Sequence, residues 1–161
     1  MQDSNTNRSP IHGTFTLERI YDATPERVFQ AWADPALKAQ WFSGPADRWT
    51  SLERSCEFRV GGQERARGQF QGGRISDYRA RYHQIRTNEL LVYDYDMFVD
   101  DTFLSVSLST VEILAHRGGT RLVYTEQGVY FDGNDGRANR EEGTRALLEN
   151  LVAALRRGAA H

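Results

Sequence analysis

The sequence predicts an α+β fold in which a curved antiparallel β-sheet wraps around a long C-terminal helix, with two short helices after the first strand. Three observations predict this architecture. Residues 47 to 131 consist of strand-like segments separated by short turns of glycine and polar residues. One strand-like and two short helix-like segments precede them, and a helix with a single apolar stripe follows. Turns this short join antiparallel neighbours, because parallel strands need long crossovers.

Composition indicates one domain and excludes several classes of function. A chain of 161 residues with 39% hydrophobic and 11% aromatic residues suits a single core, which we expect to span residues 13 to 157. We expect residues 1 to 12 to form a disordered lead and residues 158 to 161 a frayed end. The formal charge of -2 provides no general attraction to nucleic acid or anionic lipid, so we expect neither as a partner.

Cysteine and histidine usage argues against disulfides and metal sites. Cys56 is the single cysteine, which precludes an intrachain disulfide and favours a reduced, cytoplasmic setting. The four histidines are scattered, without the spacing of metal ligands, and no phosphate-binding loop or nucleophile elbow is present. We therefore expect no metal and no cofactor.

The first elements can be placed from β-branched residues and capping signals. Residues 13 to 22 mix β-branched, aromatic and charged residues and predict a strand. Thr24 and Asp34 each stand before a proline, which predicts two helix starts. The first helix should bury Val28, Phe29 and Trp32, and the second should pair Leu37 with Trp41 at i and i+4.

One later strand changes its apolar phase. Leu104, Val106 and Leu108 occupy even positions, whereas Val111 and Ile113 occupy odd positions. Since side chains alternate strictly between the two faces of a strand, we predict a β-bulge near Ser109 and Thr110.

The last element is an amphipathic helix over residues 137 to 157. Its apolar stripe consists of Leu147, Leu148, Leu151, Val152 and Leu155. Gly143 interrupts it at a cost of about 1 kcal/mol relative to alanine. We interpret this glycine as a close backbone approach or as space left for a ligand, with a frayed first turn as the alternative.

These segments in this order resemble the START-like helix-grip superfamily, also called SRPBCC. The stretches "ATPERVFQAWADPALKAQWFSGP", "FRVGG", "GTRLVYTEQGVYFDG" and "REEGTRALLENL" resemble its branch named after the activator of heat-shock protein 90 ATPase. The resemblance covers about residues 13 to 157 and implies a deep cavity between the sheet and the terminal helix. A long helix across a curved sheet also leaves such a space on physical grounds, because the two surfaces meet over only part of their length. The superfamily includes ligand-binding proteins, cyclases and chaperone partners, so the resemblance leaves the activity open.

Several aromatic residues are candidates for the cavity wall. Strict alternation in "LLVYDYDMFV" places Tyr93, Tyr95 and Met97 on one face and the aspartates on the other. The same period puts Leu122, Tyr124 and Glu126 together, and the resemblance implies that their face points inward. The remaining candidates are Tyr78, Tyr82, Trp32, Trp41, Phe42, Gly143 and Leu147. Trp49 could line the cavity or pack in the core, and we expect the core.

Residues 41 to 45, "WFSGP", place two large rings at a sharp turn. Small polar residues form turns best, so the rings need another reason. We interpret Trp41 and Phe42 as a cap over the cavity mouth. On that interpretation, Trp41→Ala should weaken ligand retention more than it lowers the melting temperature.

Glu126 is the candidate for proton chemistry. A carboxylate in an apolar pocket has a raised pKa and can act as a general acid or base. The alternative is a structural glutamate paired with an arginine, for which Arg59 and Arg145 are the candidates.

Three functions remain open from the sequence. The first is a binding protein that encloses a small apolar or aromatic ligand. The second is an enzyme of the cyclase or hydrolase kind that uses Glu126 in the same cavity. The third is a chaperone partner, as the family name suggests. An apolar patch around Val92 and Phe98 on the outer sheet face could also mark a homodimer contact.

Overall fold

The structure is a computed structural model that describes residues 10–131 and 136–159. Seven strands form one antiparallel sheet in the order β1-β7-β6-β5-β4-β3-β2. The strands are β1 (Ile11–Tyr21), β2 (Trp49–Cys56), β3 (Gln63–Phe70), β4 (Ile75–Arg86), β5 (Leu90–Val99), β6 (Thr102–His116) and β7 (Gly119–Tyr130), and the helices are α1 (Pro25–Ala33), α2 (Pro35–Lys38) and α3 (Gly136–Ala159). The predicted fold class is confirmed. Its boundaries shift slightly, because β1 begins at Ile11 and α3 extends to Ala159; residues 1–9 of the predicted lead lie outside the described residues.

Both predicted helix starts are confirmed by their caps. The hydroxyl of Thr24 accepts a 3.3 Å hydrogen bond from the backbone N–H of Arg27. A carboxylate oxygen of Asp34 accepts one of 2.9 Å from the N–H of Ala36. These side chains satisfy N–H groups that have no partner within the helix, which is why the elements begin there.

The predicted pairing of Leu37 with Trp41 is wrong. Helix α2 ends after one turn, and the N–H of Gln40 then bonds the carbonyl of Leu37 at i to i+3. This tighter winding rotates the side chains out of the α-helical phase. Leu37 is consequently exposed, whereas Lys38 and Trp41 are buried.

The predicted bulge near Ser109 and Thr110 is also wrong. Strand β6 pairs with β7 in unbroken register from Ser105 to His116. Its buried face carries Ser105, Ser107 and Ser109 in phase with Val111 and Ile113, while Leu108 points outward and is exposed. The apolar pattern predicted the wrong register because the inner face of this strand is polar, and its serines meet a buried hydrogen-bond network. The irregularity lies instead between Met97 and Phe98 of β5.

Helix α3 lies toward one side of the sheet. It packs mainly on β1, with further contacts to α1 and β7. Leu148, Leu151 and Leu155 are buried in this contact, and the hydroxyl of Tyr21 donates a 3.0 Å hydrogen bond to the carbonyl of Leu148. The inner face of β3, β4 and β5 is therefore not covered by the leucine stripe, and this is where a cavity forms.

The outer sheet face carries a small aromatic patch. Phe98 and Phe103 stack with ring centroids 4.9 Å apart, and Phe103 also contacts Phe131 at 5.1 Å. Phe103 and Phe131 are the more exposed members, whereas Val92 and Phe98 are partly buried. Dimerization through this face stays a prediction.

A candidate ligand-binding cavity between the sheet and α3

A cavity of about 510 Å³, partly open to solvent, lies between α3, strands β3 to β5 and the loop after α2. The sheet contributes Ala66, Ser76, Tyr78, Tyr93, Tyr95, Met97 and Tyr124, and the helix contributes a strip from Asn139 to Asn150. The loop residues Trp41 to Pro45, with Trp32, Trp49 and Phe70, form the remaining wall. The structure thus contains a space at the position where the sheet curves away from α3.

Most of the predicted wall residues line this cavity. Trp32, Trp41, Phe42, Tyr78, Tyr93, Tyr95, Met97, Tyr124, Gly143 and Leu147 all do so, and Tyr82 and Glu126 do not. Tyr82 turns to the carboxylate of Glu64, and Glu126 lies behind Tyr95 and Tyr124. Trp49 lines the cavity instead of packing in the core, because the glycines Gly44 and Gly68 leave room for its indole beside them.

The aromatic wall is held together by ring contacts. Trp32 meets Trp41 at 4.7 Å between ring centroids, Trp41 meets Phe42 at 5.7 Å, Phe42 meets Tyr78 at 5.0 Å, and Tyr78 meets Tyr95 at 4.9 Å. Tilted and edge-to-face pairs of this kind add about 0.5 to 1.5 kcal/mol each beyond burial. The rings therefore support one another around the cavity.

Glu126 is the centre of a buried polar network. Its side chain is 0% exposed and accepts hydrogen bonds from the hydroxyls of Tyr95 at 2.8 Å and Tyr124 at 2.6 Å. Arg140 of α3 lies 3.9 Å from the same carboxylate and donates to the hydroxyls of Tyr95, at 2.8 Å, and Ser105, at 2.9 Å. The network joins the sheet to the terminal helix.

The alternative prediction was that Glu126 is a structural glutamate paired with an arginine. An arginine does lie near Glu126, but it is neither of the two proposed. Arg59 pairs with Glu57, and Arg145 pairs with Glu141 on the outer side of α3. Arg140 occupies the inner side, because it continues the buried stripe backward from Leu148 through Thr144 in steps of four.

Burial raises the pKa of Glu126, and the hydrogen bond from Tyr124, the charge of Arg140 and the hydrogen bond from Tyr95 lower it in part. The pKa values of Tyr95 and Tyr124 lie well above the ordinary value for tyrosine, chiefly because both phenols are buried. Both phenols therefore stay protonated and act as donors to the carboxylate.

A second buried ion pair, not predicted from the sequence, supports the opposite wall. The ammonium of Lys38 lies 2.7 Å from a carboxylate oxygen of Glu64, and the two side chains are 3% and 4% exposed. The hydroxyl of Tyr82 donates to the same oxygen at 2.5 Å. The ammonium also lies 4.5 Å from the ring centroid of Phe42, within cation–π range.

A signal for half of this pair was present in the sequence. Glu64 alternates in phase with Ala66 and Gly68, which predicts that its carboxylate shares their buried face. No sequence pattern predicted the burial of Lys38, because this burial depends on where a one-turn helix ends.

Two buried donors at the cavity wall lack a hydrogen-bond partner within the described residues. They are the indole N–H of Trp32 and the hydroxyl of Tyr78. A buried polar group without a partner costs about 1 to 3 kcal/mol. Both atoms lie behind the surface of the cavity, so these two donors are a cost of packing the aromatic wall.

Gly143 corresponds to open space. It lies in the interior of α3, and a Cβ atom built on it would meet no atom within 4 Å. Neither close backbone approach nor a frayed first turn explains it. Gly143 is exposed and borders the partly open cavity, and its role in leaving space for a ligand stays a prediction.

The described residues 10–131 and 136–159 contain no cluster of three or more metal-binding side chains. None of the helices described is both long enough and apolar enough to cross a membrane.

The bent antiparallel sheet, the long terminal helix beside it and the cavity between them define the helix-grip class of protein. The family profile described as Activator of Hsp90 ATPase homolog 1-like protein matches residues 22–156. The chain belongs to that family, which confirms the resemblance found in the sequence.

Solved structures of the same fold come from several bacteria. A protein of Rhizobium leguminosarum described as uncharacterized is 39% identical with a TM-score of 0.88, over 93% of this chain and 98% of its own. Mll3558 of Rhizobium loti is 44% identical with a TM-score of 0.83, over 91% and 99%. CV1439 of Chromobacterium violaceum is 26% identical with a TM-score of 0.72, over 88% and 96%. No curated protein matches the chain significantly.

Proposed function

We propose that this protein binds a small aromatic or apolar molecule in the cavity between the sheet and α3. The observation that carries the proposal is the cavity of about 510 Å³, with an aromatic wall and a few polar lining residues, among them Asn139, Arg140 and Thr144. Small-molecule sites have volumes of about 300 to 1,000 Å³ and combine apolar walls with a few polar groups. The cavity has both properties.

The position of Glu126 supports binding over acid–base catalysis. A general acid must reach its substrate directly or through one water molecule. Glu126 does not line the cavity, and Tyr95 and Tyr124 stand between its carboxylate and any occupant. Its role on this proposal is to orient these two phenols and Arg140.

Native mass spectrometry of the freshly purified protein tests the proposal directly. We expect a small molecule to be retained and to be released on denaturation. Retention identifies the class of ligand, whereas a chaperone-partner function would use an exterior surface and would not require it.

Substitution at Gly143 provides a matched pair of variants. Gly143→Leu should project a side chain into the open space and lower the affinity for the retained molecule about tenfold or more. The higher helix propensity of leucine should maintain the stability of the variant. Gly143→Ala improves the helix equally but adds a single methyl group, so its effect on affinity should be much smaller. Equal ligand affinity of Gly143→Leu and wild type would contradict the proposal.

A further inference from the structure

The electrostatic character of the cavity wall limits the class of ligand. Among the described residues that line the cavity, Arg140 is the one with a charged side chain. The carboxylates of Glu64 and Glu126 do not reach the wall. The wall therefore presents a cation to its occupant and no anion.

The guanidinium of Arg140 is fixed in position but keeps unused donors. It donates to Tyr95 and Ser105, both neutral, and makes no other hydrogen bond within the described residues. An arginine carries five N–H donors. The nearest carboxylate oxygen, on Glu126, is 3.9 Å away, which exceeds hydrogen-bond distance.

Glu126 balances the charge of Arg140 without occupying its donors. Its carboxylate is fully enclosed, whereas the side chain of Arg140 is 18% exposed. An anion in the cavity could meet the guanidinium at about 2.7 to 2.9 Å, the usual length of a charge-assisted hydrogen bond. Attraction to Arg140 at that distance exceeds repulsion from the more distant Glu126, because the Coulomb energy falls with separation.

We propose that Arg140 binds the carboxylate of the ligand, and that the cavity therefore takes an aromatic carboxylic acid. This inference rests on the proposed function and specifies its ligand class. The planar guanidinium matches the two oxygens of a carboxylate. The aromatic wall also suits a flat ring.

Isothermal titration calorimetry with acids and their methyl esters tests the inference. The probes are benzoate, 2-naphthoate and 4-biphenylcarboxylate, each compared with its own ester, so that size and apolar surface are nearly matched. We expect the best-fitting acid to bind wild type about tenfold or more tightly than its ester, the effect of roughly one charge-assisted hydrogen bond.

Variants assign the preference to Arg140. Arg140→Met should abolish the preference for the acid while the ester still binds, and Arg140→Lys should keep part of it. Arg145→Met is the matched control, since it removes the same charge from the outer side of α3, where Arg145 pairs with Glu141. The control should retain the preference in full.

Glu126→Gln provides a test that does not depend on the folding of Arg140→Met. It removes the competing negative charge and keeps the side-chain shape, so the preference for the acid should increase. An unchanged or weaker preference for the acid in Glu126→Gln would contradict the inference.

The outcomes separate the inference from the proposed function. If esters bind as tightly as acids, or if the preference survives in Arg140→Met, the inference is wrong and the proposed function stands. If no probe binds and no molecule is retained in native mass spectrometry, both are wrong. An acid preference that is lost in Arg140→Met and increased in Glu126→Gln supports the inference.

Discussion

The hydroxyl of Tyr95 on β5 donates a 2.8 Å hydrogen bond to the carboxylate of Glu126 on β7, although these strands are not neighbours. Strand β6 lies between them, and Ser107 is the residue of β6 directly opposite Tyr95. The small side chains of Ser105, Ser107 and Ser109 leave room for the contact to cross above β6. The small serine side chains thus allow a polar network that joins three strands to α3.

Tyr95→Phe should destabilise the protein and raise the pKa of Glu126 further. The variant removes a hydrogen bond that lowers this pKa. Loss of this hydrogen bond should lower the free energy of unfolding by about 1 to 2 kcal/mol. Denaturant unfolding measures the stability, and carboxyl-carbon NMR titration measures the pKa. Tyr78→Phe is the matched control, because its hydroxyl has no partner among the described residues and its loss should cost almost nothing. Equal destabilisation by the two variants would contradict the assignment.

Lys38→Met should lower the free energy of unfolding by about 3 to 5 kcal/mol, because it leaves the buried carboxylate of Glu64 without its cation. The double variant Lys38→Met with Glu64→Gln should recover much of this loss, since no unpaired charge remains. A thermodynamic cycle of the wild type, two single variants and double variant measures the coupling. Additive effects of the two substitutions would show that the pair is not coupled.

The carboxylate of Asp77 should make the protein sensitive to acid. The side chain of Arg65 donates at 3.0 and 2.8 Å, and Arg79 at 3.1 and 2.8 Å, which lowers the pKa of Asp77 to about 2 from an ordinary 3.8. The stabilisation is present above the unfolded pKa and is lost as the pH falls toward 2. The arginines are partly exposed, so we expect about 1 kcal/mol rather than the full value of the shift.

Unfolding measured between pH 2 and pH 6 checks this expectation. Asp77→Asn should be less stable than wild type near neutral pH, and the difference should decrease as the solution is acidified. A difference that is constant across this range would contradict the linkage.

The structure changes what should be expected of Trp41 and Phe42. Trp41 is 1% exposed, and its indole N–H donates a 2.9 Å hydrogen bond to the carbonyl of Ala31. Trp41→Ala should therefore cost about 3 to 5 kcal/mol in stability. The expectation that ligand retention suffers more than melting stays a prediction, and Trp41→Ala tests it poorly because melting is lowered strongly as well.

Phe42→Ala is the better test of the wall, because Phe42 is only partly buried. It should reduce ligand affinity with a smaller loss of melting temperature than Trp41→Ala. Thermal unfolding and calorimetry on both variants provide the comparison. A Phe42→Ala variant that melts lower and binds as well as wild type would remove Phe42 from the site.

Alternation and capping were sufficient to predict most of the wall. Tyr93, Tyr95 and Met97 alternate along a strand whose two faces differ clearly in polarity, so their common face followed from the sequence. Helices α1 and α2 begin where a capping side chain precedes a proline, which is a local signal. Such features depend on neighbouring residues and can therefore be recognised without the fold.

The hydrophobic pattern alone predicted neither the inward serines of β6 nor the role of Arg140. Two of the inward serines of β6 contradict the rule that apolar residues face inward because their partners are distant in sequence. Ser109 bonds Tyr124 of β7, and Ser105 accepts from Arg140 of α3. Arg140 could have been found by extending the stripe of Leu148 and Thr144 by one further step of four, but a charged residue at that point resembles a solvent-exposed end. The position of the Glu126 carboxylate beside Arg140 is seen only in the folded chain.

The Arg140 side chain belongs to α3, which follows all seven strands of the sheet along the chain. Until α3 packs on the sheet, Glu126 has no guanidinium beside it and its carboxylate can be hydrated. Docking of α3 therefore removes water from this carboxylate and provides a cation in the same step.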